Sequence, residues 1–478
     1  MTIINVAKEQ IIEKLKFENE WWETGKIPQF YSILGTRSYF SLLKPLIVEK
    51  NVNRAVVLMG PRRVGKTVLI FQIIQSLIKE NINPRKIFYL SIDNPIYNSI
   101  PLEQLYKLCK EAVNDQLSND FYVFFDEIQY LKNWEVHLKT MVDSYNTAKF
   151  TVTGSATAAL RLKSNESGAG RFTDFQLPPL TFYEYLQLLK KESFLLPKKE
   201  NAYVVSNSYN YKELNEQFIR YINFGGYPEV IFSETIQNDP TRYIKSDIID
   251  KVLLKDLPIL YGIQDIQELN SLFNTLAYNS GNEVSLDEIS KNSGVARNTI
   301  KKYLTYLESA FLIKVVNRID KKAKKFERAN YFKIYLTNPS IRSALFTPIK
   351  QSDSLFGNIV ETAIYSQFQH SATLNISYAR WKGGEVDIVY LDPKLNPYRA
   401  VEVKWSNRFV EKIRELENLS SFCKIHKLAE CWITTIDIFK TVQVDNLLYR
   451  YIPSSLFALY ISQFIMEGKI EQIISEKN

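Results

Sequence analysis

The chain has 478 residues, and at roughly 100 to 200 residues per domain this length predicts about three domains. Because 45% of the residues are apolar and 13% are aromatic, a wholly disordered chain is excluded. The formal net charge of +8 permits a polyanionic partner without requiring one, and the three cysteines form no CxxC pair that would support a disulfide framework or a thiolate zinc site.

Residues 1–50 are predicted to form an N-terminal helical leader. In the first 20 residues, charges interrupt the apolar positions every few residues, which favours an amphipathic helix over a secretory signal. No stretch of the chain approaches the roughly 20 uncharged apolar residues that a membrane-spanning helix requires. Together with the few cysteines, this predicts a cytoplasmic protein without a membrane partner.

Residues 51–180 have the alternating pattern of a doubly wound α/β core. The run RAVVLMG is continuously apolar and ends in glycine, which is typical of a strand buried on both faces of a parallel sheet. Segments long enough for helical crossovers separate it from three further strand-like runs. The four predicted strands lie at 54–60, 86–93, 121–127 and 149–155.

A phosphate-binding motif, GPRRVGKT, follows the first strand at residues 60–67 and precedes an apolar helix that should begin at Lys66. Its glycines let the backbone wrap so that successive N–H groups face phosphate oxygens at the positive end of a helix dipole. Lys66 is expected to pair with the β and γ phosphates, and Thr67 to ligate magnesium. The predicted nucleotide-binding residues are Gly60, Pro61, Arg62, Arg63, Val64, Gly65, Lys66, Thr67, Val68 and Ser155.

Two carboxylates, Asp126 and Glu127, end the third strand after four apolar or aromatic residues. Charge at a buried strand end needs compensation, and magnesium would supply it. Asp126 is then expected to hold the ion through its water shell, and Glu127 to orient and polarise the attacking water. The alternative is a strand end that simply reaches solvent.

Three further side chains are candidates for the same site. Thr153 and Ser155 end the fourth strand, where a hydroxyl could contact the γ phosphate or the attacking water. Arg171, in GAGRFTD, could reach nucleotide within the chain or from a neighbouring subunit, because a guanidinium matches phosphate oxygens. Its alternative interpretation is a solvated surface residue.

These motifs, together with FFDEIQYLKNWE, TVTGSATAAL, GRFTDFQLPPLTFYEYL and FGGYPE, occur in an order that resembles the archaeal and bacterial AAA+-related ATPases with a C-terminal domain of unknown function. The resemblance extends to NTIKKYLTYLESAFLI and to an EVD…VEVK block that this family shares with the PD-(D/E)XK nuclease superfamily. It implies an α/β fold: a P-loop NTPase core with a helical lid, a winged helix-turn-helix and a C-terminal restriction-endonuclease-like α/β domain.

Residues 181–280 are expected to form the lid and residues 281–348 the winged helix. In the second helix of the helix-turn-helix, the exposed face is basic and the buried stripe is apolar, the polarity that a DNA reader requires. The alternatives are a protein-docking module and a solvated lysine-rich loop. The candidate DNA-binding residues are Arg297, Asn298, Lys301 and Lys302, with Lys321, Lys322, Lys324 and Lys325 in the wing.

Residues 349–478 are predicted to alternate helix, three strands, helix and strand. Asp387 lies in mid-strand, Glu402 and Lys404 occupy positions i and i+2 of the next strand, and Glu361 lies on the preceding helix. Converging carboxylates could bind magnesium and activate water against a phosphodiester, with Lys404 stabilising the developing charge. The alternative is a nuclease-like fold that serves only as a binding scaffold.

The leading functional hypothesis is a magnesium-dependent ATPase that couples its nucleotide state to the winged-helix and nuclease-like half, on DNA. ATP and Mg²⁺ are the expected cofactors, and ATP, DNA and a second copy of the chain are the expected partners. Two alternatives stay open: an ATP-gated regulatory or protein-binding switch with little turnover, and an ATP-controlled structure-specific DNA nuclease.

Overall fold

The computed structural model describes residues 7–97, 100–154, 170–194, 210–324, 330–371 and 373–469. The chain divides into two compact units, Met1–Leu177 and Pro178–Asn478. The end predicted for the α/β core, residue 180, lies close to this boundary. The finer division of the second unit into lid, winged helix and nuclease-like domain stays a prediction.

The first unit alternates helices and strands. Its helices are α1 (Lys8–Glu18), α2 (Trp21–Thr24), α3 (Gln29–Ser32), α4 (Tyr39–Val48), α5 (Lys66–Lys79), α6 (Leu102–Ala112) and α7 (Trp134–Ser144), with short 3₁₀ helices at Pro84–Lys86 and Ile128–Tyr130. Its strands are β1 (Ala55–Met59), β2 (Ile87–Ser91), β3 (Tyr122–Asp126), β4 (Lys149–Gly154) and β5 (Phe172–Gln176).

These five strands form one parallel sheet in the order β2-β3-β4-β1-β5. The interior strands β1, β3 and β4 are buried at every residue, as expected for a parallel sheet covered on both faces. All four predicted strands are present. The edge strand β5 was not predicted, because its sequence FTDFQ is only half-buried and lacks a continuous apolar run.

The leader covers the exposed edge of strand β2. Helix α1 confirms the predicted amphipathic helix, and Asn19 after it pairs with the backbone of Tyr89 as a strand residue would. The Asn19 side chain donates to Tyr89 O at 2.8 Å and accepts from Tyr89 N at 2.7 Å. The indoles of Trp21 and Trp22 both donate to Ile87 O. The leader thereby satisfies edge groups that could otherwise pair with another chain.

Replacing Asn19 by alanine should therefore open strand β2. The buried N–H and C=O of Tyr89 would lose their partners, at a cost of about 2 kcal/mol or more. We expect amide hydrogen exchange in peptides spanning 87–91 to accelerate by roughly thirtyfold. The solvent-exposed Asn51→Ala is the matched control. Unchanged exchange in Asn19→Ala would contradict this role of the leader.

The second unit contains helices on both faces of a larger sheet. Its helices are α8 (Phe182–Leu188), α9 (Tyr211–Phe224), α10 (Pro228–Ile231), α11 (Glu234–Asn238), α12 (Leu257–Tyr261), α13 (Ile266–Tyr278), α14 (Leu286–Ser293), α15 (Arg297–Ser309), α16 (Ser340–Leu345), α17 (Phe356–Phe368), α18 (Arg408–Glu411), α19 (Glu417–Ile425) and α20 (Ser454–Met466), with π-helical segments at Thr241–Asp250 and Val252–Asp256 and short 3₁₀ helices at Glu192–Phe194 and Ile413–Leu416.

Nine strands form this sheet, in the order β13-β14-β12-β11-β10-β9-β7-β8-β6. They are β6 (Glu283–Ser285), β7 (Ile313–Ile319), β8 (Tyr331–Leu336), β9 (Asn375–Trp381), β10 (Gly384–Leu391), β11 (Pro397–Glu402), β12 (Glu430–Thr435), β13 (Lys440–Val444) and β14 (Leu447–Pro453). Strand β7 pairs in parallel with β9, so the antiparallel strands β6 to β8 continue into the C-terminal strands.

Successive side chains of β12 show how this sheet is covered. Cys431 packs with Phe422 of α19 in one apolar cluster. The neighbouring Trp432 points to the opposite face, where its ring contacts Phe457 and Tyr460 of α20. The second helix predicted for residues 349–478 is instead broken into α18, a 3₁₀ turn and the start of α19. The hairpin β13–β14 and helix α20 were not predicted.

Candidate functional site

The GPRRVGKT loop connects buried strand β1 to helix α5, which begins at Lys66 as predicted. A Cβ atom at Gly60 would lie 2.3 Å from the carbonyl oxygen of Leu177, so only glycine fits there. Gly65 precedes the helix with φ +93°, a left-handed conformation that favours glycine. The two glycines of the motif thus let the loop turn tightly into the amino end of the helix, where an anion is stabilised by the helix dipole.

The ammonium group of Lys66 is held inside this loop. Lys66 is 5% exposed, and its Nζ donates to Gly60 O at 3.0 Å and to Pro61 O at 2.9 Å. These carbonyl oxygens keep the charge beside the helix amino end. Phosphate oxygens are stronger acceptors for an ammonium than neutral carbonyls, so the side chain is placed to exchange these bonds for a nucleotide.

The carboxylate of Asp126 accepts hydrogen bonds from three hydroxyl groups at the carboxyl edge of the parallel sheet. Its Oδ2 accepts from Thr67 Oγ1 at 2.7 Å and from Tyr89 OH at 2.8 Å, while Oδ1 accepts from Thr153 Oγ1. Asp126 is 2% exposed. Both oxygens of a carboxylate can accept hydrogen bonds, so one side chain satisfies all three hydroxyl donors. The arrangement links strands β2, β3 and β4 to the start of helix α5.

Glu127 follows directly, with backbone φ of 54°. This left-handed conformation is uncommon for a residue other than glycine and costs energy that neighbouring contacts must offset. The backbone N–H of Glu127 donates to Thr153 Oγ1 at 3.0 Å, and its carboxylate accepts from Gln129 Nε2. The backbone of Glu127 is therefore held by Thr153, and its carboxylate is held by Gln129.

Two contributors to this site were not predicted from the sequence. Arg37 is 5% exposed and donates from Nη1 to Val64 O within the loop at 2.9 Å. Tyr89 donates to Asp126, and burial followed by the Asp126 charge raises the pKa of its phenol well above the usual value. Both lie far from the motif in sequence, so spacing alone gave no signal for either.

Of the other predicted site residues that the structure describes, Thr153 lies at this site and Arg171 does not. Thr153 contacts Asp126 and the backbone of Glu127, and Ser155 lies outside the described residues. Arg171 pairs with Asp143, and its carbonyl oxygen accepts from Ala55 N at 2.9 Å at the start of β1. It therefore lies at the amino edge of the sheet, opposite the phosphate-binding loop. Contact with the nucleotide of its own chain is not supported, and a role toward a neighbouring subunit stays a prediction.

The oxygen atoms present here fit a magnesium ion bound together with nucleotide. Thr67 Oγ1 and the Asp126 carboxylate are already adjacent, and Mg²⁺ in phosphate sites commonly takes few protein oxygens and completes its shell with phosphates and water. Thr67 and Asp126 would hold the ion. Within the described part of the chain, no group of three or more His, Cys, Asp or Glu residues is arranged to hold a metal ion without such a substrate.

In the second unit, the four candidate nuclease residues come together. Lys404 Nζ lies 2.8 Å from Glu402 Oε1 and 3.5 Å from Asp387 Oδ2, and Val403 N donates to Asp387 Oδ2 at 2.9 Å. Strand β11 ends at Glu402, so Lys404 lies beyond the strand rather than at its position i+2. The prediction that the strand continues to Lys404 was wrong, but the side chains of Glu402 and Lys404 still contact each other.

Glu361 of α17 reaches this cluster through a residue that was not predicted. Lys333 of β8 donates to Glu361 Oε1 at 2.9 Å, and Tyr335 OH donates to the same oxygen at 2.6 Å. Lys333 and Tyr335 are two positions apart on a strand and share one face. Lys333 was not predicted, because it lies far in sequence from the EVD…VEVK block.

Burial and the neighbouring lysines shift the pKa values of these acids in opposite directions. Burial raises the pKa of Glu361 to about 7 and the pKa of Glu402 to about 8, against the opposing effect of the neighbouring lysines. For Asp387, burial is outweighed by Lys404 and Lys333, which lower its pKa. One buried oxygen, Glu402 Oε2, has no hydrogen-bond partner.

The candidate DNA-binding side chains lie on helix α15 and on the loop after β7. On α15, Asn298, Lys301 and Lys302 are exposed, and exposed Arg297 pairs with Asp287. The apolar residues Ile300, Tyr303, Leu304 and Leu307 of the same helix are buried as predicted.

The loop after β7 is partly engaged with the C-terminal strands. The Lys321 ammonium lies 5.2 Å from the ring centroid of Trp381. Lys322 and Lys324 are exposed, and their backbone N–H groups donate to Asp320 Oδ1. Lys325 lies outside the described residues. The exposed basic surface is therefore clearest on α15.

The parallel sheet, the glycine-bounded loop and the Asp126 cluster are typical of a P-loop nucleotide-binding domain. Residues 52–186 match the family described as AAA domain, and residues 215–353 match a family described as Domain of unknown function (DUF8612). These matches confirm the coarse part of the predicted resemblance, an AAA-like core followed by a domain of unknown function.

Relatives occur in archaea and bacteria. The uncharacterized protein MJ1544 of Methanocaldococcus jannaschii is 29% identical over 410 residues, covering 82% of this chain and 85% of that protein. An uncharacterized protein of Haemophilus influenzae is 26% identical over 358 residues, covering 74% and 80% of the two chains.

Two solved structures are distantly similar. Caenorhabditis elegans PCH-2 has a TM-score of 0.28 at 14% identity, with 50% of this chain and 66% of that chain covered. The Aeropyrum pernix ORC1 protein, solved in complex with DNA, has a TM-score of 0.30 at 12% identity, with 68% and 95% covered. At these scores neither structure supports an inference about this chain.

No helix in the described ranges is both long and apolar enough to cross a bilayer.

Proposed function

We propose that this protein is a magnesium-dependent ATP hydrolase whose C-terminal unit contacts DNA in a manner that depends on the bound nucleotide. The proposal rests on the hydrogen bond of 2.7 Å that Thr67 Oγ1 donates to Asp126 Oδ2. This bond lies at the amino end of α5, and Glu127 follows Asp126 directly in the chain. A hydroxyl and a carboxylate joined in this way provide the oxygens that a nucleotide-bound magnesium requires.

Each residue has a separate task in this proposal. Lys66 exchanges its two loop carbonyls for β and γ phosphate oxygens, which places the charge where negative charge develops during transfer. Thr67 and Asp126 would hold a magnesium ion that would help to neutralise that charge. Glu127 accepts a hydrogen bond from the attacking water and polarises it. Thr153 positions both residues, because its hydroxyl donates to the Asp126 carboxylate and accepts from the backbone N–H of Glu127.

The order of elements in the second unit supports the winged-helix part of the proposal. Helix α13, strand β6, helices α14 and α15, and the hairpin β7–β8 follow in the order of a winged helix-turn-helix, and β6 pairs with β8. Exposed Lys301 and Lys302 lie on the second helix of the turn, the element that contacts DNA in such folds.

Duplex binding in a salt series tests the DNA part. With an ATP analogue present, we expect affinity to fall steeply as salt rises, because each neutralised phosphate releases counterions. The double variant Lys301→Ala, Lys302→Ala should weaken binding and reduce the slope of log affinity against log salt by about 2. Fluorescence anisotropy of a labelled duplex measures both quantities.

Exposed lysines elsewhere in the same unit provide the control. Lys350→Ala with Lys412→Ala removes the same charge and should leave the slope unchanged. Equal losses in both double variants would indicate attraction by net charge alone. Absence of binding by the wild type at low salt would contradict the DNA proposal, and binding without ATP turnover would favour the ATP-gated switch instead.

A further inference from the structure

Lys333 of strand β8 occupies the centre of the carboxylate cluster. It is 3% exposed, and besides Glu361 its Nζ lies 2.7 Å from Glu385 Oε1 and 3.5 Å from Asp387 Oδ1. The ring centroid of Tyr378 lies 5.4 Å from the same nitrogen. Three carboxylates, one from helix α17 and two from strand β10, therefore converge on a single ammonium group.

Three further acidic oxygens of the cluster are paired with basic side chains, whereas Glu402 Oε2 has no hydrogen-bond partner. Lys404 contacts Asp387 Oδ2 and Glu402 Oε1. Arg380 Nη1 lies 3.1 Å from Glu385 Oε2, the oxygen that Lys333 does not contact. Three basic side chains of the chain itself thus face the four acids, so most of the negative charge is compensated without an added ion.

The nuclease-like resemblance implies a divalent metal at this position, and the side chains present do not fit one. A cation held by Glu361 and Asp387 would lie beside the ammonium of Lys333, which already uses one oxygen of each. Two cations sharing the same oxygens repel each other strongly in a buried setting. Lys333 would have to leave the cluster before a metal ion could enter.

We propose that Lys333 takes the place of a divalent cation in this cluster. Its ion pairs link strand β8 to helix α17 and to strand β10. The C-terminal half is accordingly a nuclease-like scaffold and not a metal-dependent nuclease. Because Lys333 lies in the segment matched to the domain of unknown function and Asp387 lies beyond it, this ion pairing joins that segment to the C-terminal strands.

Titration of the nucleotide-free, full-length protein with Mn²⁺ tests the proposal, with electron paramagnetic resonance reporting free Mn²⁺. We expect wild type and Asp387→Asn to give the same titration curve. Lys333→Met keeps the side-chain length but removes the charge, and should bind one additional Mn²⁺ at least about tenfold more tightly than wild type. Adding Asp387→Asn to Lys333→Met should abolish that gain, and Lys333→Arg should show none.

Each other result decides against the proposal. A Mn²⁺ site in the wild type that Asp387→Asn removes would show that the cluster accepts metal with Lys333 present. Folded Lys333→Met without a gain in Mn²⁺ binding would show that Lys333 is not a substitute for the ion. If Lys333→Met unfolds without metal, Mn²⁺ should restore its thermal transition, since ligands that bind only the folded state stabilise it; failure to restore it would contradict the proposal.

Discussion

Glu127→Gln should lower the ATP turnover rate by about 100- to 1,000-fold while leaving ATP affinity within about threefold of wild type. The amide keeps the shape of the side chain but cannot accept a proton from water. Since Glu127 follows Asp126 directly and its carboxylate accepts a hydrogen bond from Gln129, the substitution should remove chemistry without removing the nucleotide's contacts. Phosphate release under saturating ATP measures the turnover, and nucleotide titration measures the affinity.

The exposed Glu9 of helix α1 provides a matched control. Glu9→Gln makes the same chemical change in the same unit and should leave both quantities unchanged. Turnover by Glu127→Gln equal to wild type would contradict the water-orienting role. A wild type that binds ATP without releasing phosphate would contradict hydrolysis itself and favour the regulatory switch.

Lys66→Ala should weaken ATP binding by about 100-fold or more, because charge-assisted bonds to two phosphate groups are lost and each contributes about 1.5 to 3 kcal/mol. The ammonium is already inside the loop, so binding requires no long movement of the side chain. Calorimetric titration with a non-hydrolysable ATP analogue and Mg²⁺ measures the effect.

Lys79 ends the same helix and is exposed. Lys79→Ala removes one positive charge from α5 at the opposite end and should bind nucleotide as wild type does. A circular dichroism spectrum establishes that Lys66→Ala is folded. Tight binding retained by folded Lys66→Ala would show that the phosphates contact another part of the protein.

The nucleotide site was the most predictable part of this molecule because its residues are close in sequence. Strand β1, the loop and helix α5 are consecutive, and Asp126 and Glu127 directly end a buried strand. Tyr89 and Arg37 reach the site only through the sheet order and the path of the leader. Neither contact has a local sequence signal.

Strand topology also explains why the position of Arg171 and the presence of Lys333 in the acidic cluster were not predicted. Arg171 immediately precedes β5, and because β5 runs parallel to β1 its first residue lies at the amino edge, opposite the loop. Lys333 enters the acidic cluster because β7 pairs with β9 and brings β8 into the C-terminal sheet. A pairing between strands about 60 residues apart is not encoded in the pattern of either strand alone.

A crystal grown with Mn²⁺ and a non-hydrolysable ATP analogue tests the central claim most directly, through the anomalous signal of the metal. We expect a peak about 2 Å from Thr67 Oγ1 and linked to Asp126 through water, with the β and γ phosphates on Lys66. Nucleotide bound away from residues 60–67, or bound there with its metal remote from Thr67 and Asp126, would contradict it.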